Sequence, residues 1–284
     1  MVSKELKKKI DQAIHLLQSV QRGYDGQIEI AYSGGKDSDV ILQLAKEAGI
    51  NYRAIYKNTT IDPPGTIAHV KKMDVEIRRP KISFFQLVAK KSLPSRFSRF
   101  CCAELKEYKI LDKCIIGVRK AESTKRASIY SEPTRCVYYG RAKTEANHVE
   151  EIFPILEWTN DDVRDFILDR HITLASIYYD GGGNIDVSKR LGCMGCPLAS
   201  EKKRIASFKE HPKMVRCYLR SLQKFWDLHP DATCHKKYDD IYEHFTRDVF
   251  YPRQSEWDRV SNGMFGKPDF KHFLEQQFGI DLTL

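Results

Sequence analysis

Apolar positions in the first twenty residues recur at helical spacing. Leu6, Ile10, Ile14 and Leu17 fall on one face and lysines on the other, which predicts a helix over residues 3–20. The period then shortens. Ile28-Glu29-Ile30-Ala31-Tyr32 reads as a strand that breaks at Ser33-Gly34-Gly35, and Val40, Leu42, Leu44 and Ala45 return to a helical pattern up to Gly49. A second strand is expected over 52–56, a helix over 66–72, a strand around 75–77 and a helix over 83–91. Residues 100–106 read as a loop entering a helix, 114–118 and 152–156 as further strands, and Thr159 as the cap of a helix carrying Val163, Phe166 and Ile167 on one face. This alternation predicts an α/β fold, an open parallel sheet with helices on both faces. From Ser200 the chain is helical, basic and aromatic, with breaks at Pro212, Pro230 and Pro252 and no clear strand. The expected division is therefore an α/β domain over 1–200 and a helical C-terminal region over 201–284.

Composition narrows the setting. The 284 residues suffice for one large domain or a domain plus an appendage, without repeats or low-complexity tracts. Residues 1–21 are amphipathic and lysine-rich with no apolar signal core, and nothing later reaches membrane-spanning length, so a cytoplasmic protein with no membrane partner is expected. Eight cysteines in such a chain point to thiols or metal ligands rather than a disulfide framework. The net charge of +9 allows a polyanionic partner without requiring one, because a nucleotide pocket also needs basic residues.

Three constellations carry candidate chemistry. In the first, Gly34 and Gly35 let the backbone approach a ligand, the N–H groups opening the next helix face an anion, and Lys36, Ser33 and Ser38 add donors. The spacing is neither that of a Walker A loop nor that of a dinucleotide fingerprint. The second pairs Cys101-Cys102 with Cys193-Met194-Gly195-Cys196, about 90 residues apart. A lone Cys-x-x-Cys serves zinc, redox chemistry or an iron–sulfur cluster equally. Adjacent cysteines diverge too far to share one tetrahedral ion easily but reach two irons of a 4Fe-4S cube, with zinc and unliganded thiols as the alternatives. Cys114, Cys136, Cys217 and Cys234 have no comparable spacing and are expected to be packing or surface thiols. The third is Gly117-Val118-Arg119-Lys120-Ala121-Glu122-Ser123-Thr124-Lys125-Arg126. It follows a strand end, where ligands of open sheets collect, and its arginines suit phosphate or sulfate, although a solvated charge run has the same composition.

Taken in order, these motifs resemble the phosphoadenosine phosphosulfate reductase family of the PP-loop ATP pyrophosphatase superfamily, over roughly residues 28–200. Ser33 to Ser38 is similar to the pyrophosphate loop. Asn58-Thr59 with Pro64 and Thr66 resembles an Asp-Thr, Pro-Glu-Thr segment, and Gly117, Arg119, Glu122, Ser123 and Arg126 match a Gly-x-Arg-x-x-Glu-Ser-x-x-Arg pattern. Phe153-Pro154-Ile155, Trp158-Thr159 and Asp162-Val163 complete the series. The four spaced cysteines resemble the cluster ligands of adenylyl-sulfate reductases and of DNA phosphorothioation sulfurtransferases. The resemblance implies a Rossmann-like sheet of the PP-loop type. It implies an adenine nucleotide held by Ser33, Gly34, Gly35, Lys36, Ser38, Asn58, Thr59, Gly117, Arg119, Glu122, Ser123 and Arg126. It further implies Lys36, Asp37 and Arg119 as catalytic groups, and a 4Fe-4S cluster on Cys101, Cys102, Cys193 and Cys196.

Three departures shape the expected activity. The loop is complete, which in the superfamily goes with ATP and pyrophosphate release, accompanied by magnesium. The sequence ends in Phe278-Gly279-Ile280-Asp281-Leu282-Thr283-Leu284 without the reductases' Glu-Cys-Gly, and Gly65 replaces the usual glutamate. The expectation is thus an ATP-binding enzyme of adenylation-coupled sulfur transfer or reduction, working with a redox or sulfur-donor protein. One rival is a (phospho)adenylyl-sulfate reductase using an external thiol. Another is a non-catalytic, cluster-bearing nucleic-acid-binding subunit, suggested by Lys202-Lys203-Arg204 and by Tyr218, Phe225 and Trp226 in the basic tail.

Overall fold

A computed structural model describes residues 2–139, 143–250 and 268–283. Pro252, expected as a break, lies outside the described residues. The elements begin with α1 (Lys4–Arg22), β1 (Ile28–Tyr32), α2 (Lys36–Ala48), β2 (Tyr52–Lys57), α3 (Thr66–Val70), β3 (Glu76–Arg78), α4 (Phe84–Lys91) and α5 (Phe100–Leu105). They continue with β4 (Lys113–Ile115), α6 (Thr124–Ile129), β5 (Thr134–Tyr138), β6 (His148–Ile152) and α7 (Asn160–Asp169). Five more helices follow: α8 (Glu201–Glu210), α9 (Lys213–Leu228), α10 (Cys234–Lys237), α11 (Ile241–Phe250) and α12 (Phe270–Phe278). No described helix is long and apolar enough to cross a membrane.

The chain forms two compact units that are threaded along it rather than separated by one cut near residue 200. The first is Met1–Asn58, Asp62–Pro80 and Leu105–Leu191, and the second is Thr59–Ile61, Lys81–Glu104 and Gly192–Leu284.

The first unit is an α/β fold around a six-stranded sheet of order β3-β2-β1-β4-β6-β5. Every pairing is parallel except β5 with β6, so the expected open parallel sheet carries one antiparallel strand at its edge. The strand expected at 152–156 is also displaced. β6 ends at Ile152, and Phe153, Ile155 and Leu156 are apolar because they are buried in the turn that follows.

Register explains the two faces of the sheet. Ala54, Ile30, Ile115 and Ile152 lie side by side and join Leu6, Ile10 and Leu17 of α1, Val40, Ile41 and Leu44 of α2, and Val163, Phe166 and Ile167 of α7 in one core. One residue out of phase, Glu29, Cys114 and Glu151 form a buried row on the opposite face. Its charges are matched: Lys57 pairs with Glu29 at 2.9 Å and Arg135 with Glu151 at 2.7 Å, and the Tyr139 hydroxyl donates to Glu151 at 2.8 Å.

The second unit has no strand among its described residues. Ser83 and Gln86 form a capping box that starts α4, and Ser200 caps α8. The core is aromatic. Tyr218 of α9 packs edge-on against Phe84, Phe85 and Phe208 at 5.4, 5.6 and 5.5 Å, and Phe208 meets Phe245, Phe250 and Phe278.

Candidate functional site

In the first unit, the chain leaves β1 at Tyr32 and enters α2 at Lys36 with only three residues between them. Gly34 accomplishes the reversal at φ +75°, a conformation costly for any residue with a Cβ. No N-cap side chain caps α2, whose N-cap is Gly35; the Ser38 amide turns back to the Gly35 carbonyl at 2.9 Å and the Lys36 amide meets the Tyr178 hydroxyl, while the N-terminal end of the helix faces the loop. The loop is braced from within: Ser38 Oγ donates to the Gly35 carbonyl at 2.6 Å, and Ser33 Oγ donates to Ser38 Oγ at 3.3 Å.

Lys36 is 2 % exposed. Its ammonium lies 3.0 Å from Asp37, 3.4 Å from the Lys189 carbonyl and 5.6 Å from the Tyr178 ring centroid. Burial pushes its pKa below the ordinary 10.5, and the Asp37 carboxylate partly offsets this.

Arg119 is 1 % exposed and fully engaged with protein. It donates to Asp37 at 2.7 Å, to the Trp158 carbonyl at 3.2 Å and to Asn160 at 3.0 Å. It therefore ties the first turn of α2 to the first turn of α7. Gly117 makes the approach possible, because a Cβ there would lie 3.0 Å from the Asp37 carbonyl oxygen.

Glu122 gathers the neighbouring cations. Arg126 pairs with one of its oxygens and Arg190 with the other, the latter at 3.1 Å. Burial and the positive charge of Arg190 lower the Arg126 pKa. Arg190 also acts on Lys36, so Lys36, Arg119, Arg126 and Arg190 form one electropositive group around Asp37 and Glu122. Arg190 escaped the motif-based reading; the signal was a basic pair, Lys189-Arg190, just ahead of the Cys193 turn. Ser123 has a structural task, capping α6 by accepting from the Arg126 amide at 3.2 Å.

Asn58 closes β2 by donating its amide to the Arg78 carbonyl at 2.9 Å. Thr59 belongs to the second unit, where it is buried and its hydroxyl accepts from the Cys193 thiol at 3.6 Å.

That second unit also holds all four spaced cysteines, each half-buried. Cys101 and Cys102 lie in α5, while Cys193 and Cys196 close a turn through a 3.3 Å backbone bond. The Cys101 thiol is pushed far up, first by its hydrogen bond with Cys102, then by burial, then by the charges of Cys102, Cys193 and Cys196. The buried Tyr218 hydroxyl, which donates to the Met194 carbonyl at 3.0 Å, is raised by burial and then by Cys193, Cys101 and Cys196. The structure thus brings the two cysteine pairs into one electrostatic neighbourhood. Among the described residues, no three His, Cys, Asp or Glu side chains are close enough to hold a single metal ion.

The basic tail is less open than its sequence suggests. Arg204 is 2 % exposed and donates to the Pro197 and Ala199 carbonyls beside the cysteine turn, while Tyr218 and Phe225 are core residues.

Comparison with known proteins bears on this arrangement. Residues 27–199 match the phosphoadenosine phosphosulfate reductase domain. An uncharacterized protein of Methanocaldococcus jannaschii is 26 % identical over 212 residues, covering 70 % of this chain and 48 % of its own length. The chain thus spans about half the length of the curated relatives it matches. Among solved structures, a phosphoadenylyl-sulfate reductase from Candida auris in complex with phosphate is 16 % identical, covering 68 % of this chain and 96 % of the other with a TM-score of 0.43. The U34-tRNA thiolase NcsA from Methanococcus maripaludis, with its 4Fe-4S cluster, is 17 % identical, covering 80 % of this chain and 81 % of the other with a TM-score of 0.38.

Proposed function

The chain belongs to the phosphoadenosine phosphosulfate reductase domain family, and from that premise we propose that it is a PP-loop enzyme that binds ATP and couples adenylation to sulfur transfer. The observation that carries this reading is the complete loop from Ser33 to Ser38, with the N-terminal end of α2 facing it and Lys36 held against Asp37. An acceptor oxygen attacks the α-phosphorus of ATP, the bond to the β-phosphate oxygen breaks, and pyrophosphate leaves. Hydrosulfide then displaces AMP, which departs with the electron pair of the acceptor–oxygen bond.

Lys36 and the loop amides stabilise the charge growing on pyrophosphate. Arg126 and Arg190 meet the outer phosphates, while Arg119 acts through Asp37 as a positioning residue. Both Asp37 oxygens are engaged by Lys36 and Arg119; magnesium brought in with ATP would supply further neutralisation of the phosphate charge. Cys101, Cys102, Cys193 and Cys196, all in the second unit, would suit a 4Fe-4S cluster by the thiolate chemistry of their donors. When bound, it supplies iron that binds sulfide or passes electrons.

The test supplies ATP and labelled adenylyl sulfate separately to anaerobically purified protein. ATP binding with pyrophosphate formation is expected. Sulfite release from adenylyl sulfate with an added thiol, without pyrophosphate formation from ATP, would replace this reading with that of a reductase.

A further inference from the structure

The first unit contains a cleft of about 320 Å³ apart from the phosphate loop, lined by one side of α2, by residues 69–73 at the end of α3, and by residues 170–173 after α7. Lys36, Asp37 and Arg119 do not line it. Its volume reaches the lower end of the range for small-molecule sites.

The base of the cleft is a closed polar network. Asp39 and His69 are both buried. His69 Nε2 lies 3.1 and 3.2 Å from the two Asp39 oxygens and 3.1 Å from the Tyr32 hydroxyl, which itself donates to Asp39. Both Asp39 oxygens thus accept hydrogen bonds from within the network, which fixes the carboxylate at the base of the cleft.

The walls combine two chemistries. Leu42, Met73 and Ile172 are apolar, whereas Lys46 and Lys72 have no ion-pair partner among the described residues. Arg170 contrasts with them, being neutralised by Glu47 at 2.8 and 3.2 Å and by Asp169. Two uncompensated ammonium groups beside an apolar strip suit a dianion with a small apolar body better than a monocarboxylate.

We propose that this cleft is a binding site for a small organic phosphate monoester, its phosphate held by Lys46 and Lys72 and its body set against Leu42, Met73 and Ile172. His69 reports from the base. The site is separate from the loop where ATP is proposed to bind, and it stands whether or not that reading survives.

Phenyl phosphate is the probe, with the His69 ring signals followed by NMR. Wild-type protein should show a saturable shift with a midpoint of about 1 mM or below. Lys36→Ala, which disables the loop, should keep that shift. Lys46→Ala combined with Lys72→Ala should weaken it about tenfold or more, and because both lysines are exposed this variant should retain its fold. Three results would overturn the proposal: no saturable shift in the wild type, a shift lost in Lys36→Ala but kept in the double variant, or a shift kept in both.

Discussion

Lys36 is enclosed by Asp37, the Lys189 carbonyl and the Tyr178 ring, and that enclosure sets how its charge responds to pH. Its folded pKa is lowered from 10.5 by burial, so the ammonium is lost on raising pH earlier than an exposed lysine's would be. ATP affinity should consequently weaken on the alkaline side while pH is still below 10.5, and a calorimetric pH series should flatten in Lys36→Arg, which keeps its charge. At neutral pH, Lys36→Ala should cost about 1.5 to 3 kcal/mol of nucleotide binding, whereas an unchanged dissociation constant would mean the loop touches no phosphate. Arg119 calls for a different measurement, because its donors reach Asp37, Trp158 and Asn160. Arg119→Ala should lower folding stability by about 3 kcal/mol in urea titrations, since it removes a buried ion pair to one Asp37 oxygen and the hydrogen bonds to Trp158 and Asn160, while Lys36 still holds the other Asp37 oxygen. The strand, loop and helix around Ser-Gly-Gly-Lys-Asp-Ser were legible because the turn is written in local sequence. The tasks of Arg119 and Thr59 were not, because each depends on an acceptor or donor far away in sequence.

At the scale of elements, the exit of β4 passes tightly against the start of α2 at Gly117. Gly117→Ala places a methyl carbon 3.0 Å from a backbone oxygen that cannot rotate away. Such overpacking should destabilise by about 1–3 kcal/mol, and loss of nucleotide binding is expected to accompany it. Differential scanning calorimetry read with and without ATP separates the two effects. The helices α1, α2, α4 and α7 could be read in advance because each combines a cap or stop signal with an apolar stripe. β5 could not. Thr134–Tyr138 is half-exposed and carries Arg135 and Cys136, and its identity comes from pairing with β6 across the sheet. The apolar run after Ile152 misled for the opposite reason: burial in a turn leaves the same composition as burial in a strand.

For the molecule as a whole, the four cysteines come from two segments of one compact unit. Protein purified without oxygen should be brown, with about four iron atoms per chain and a similar amount of acid-labile sulfide. Cys101→Ser or Cys196→Ser should bleach it and Cys234→Ser should not; a colourless anaerobic preparation holding one zinc would refute the cluster. The same unit is assembled from residues 59–61, 81–104 and the C-terminal stretch, and this has a consequence during synthesis. α4 emerges early, yet the ring that Phe84 and Phe85 pack against, Tyr218, is more than a hundred residues away from both. While the ribosome still holds the later segment, those two phenylalanines have no aromatic core to enter and are exposed to chaperones and aggregation. A nascent chain arrested before Tyr218 should be cut by protease within residues 81–104, and release of the full-length chain should close that window.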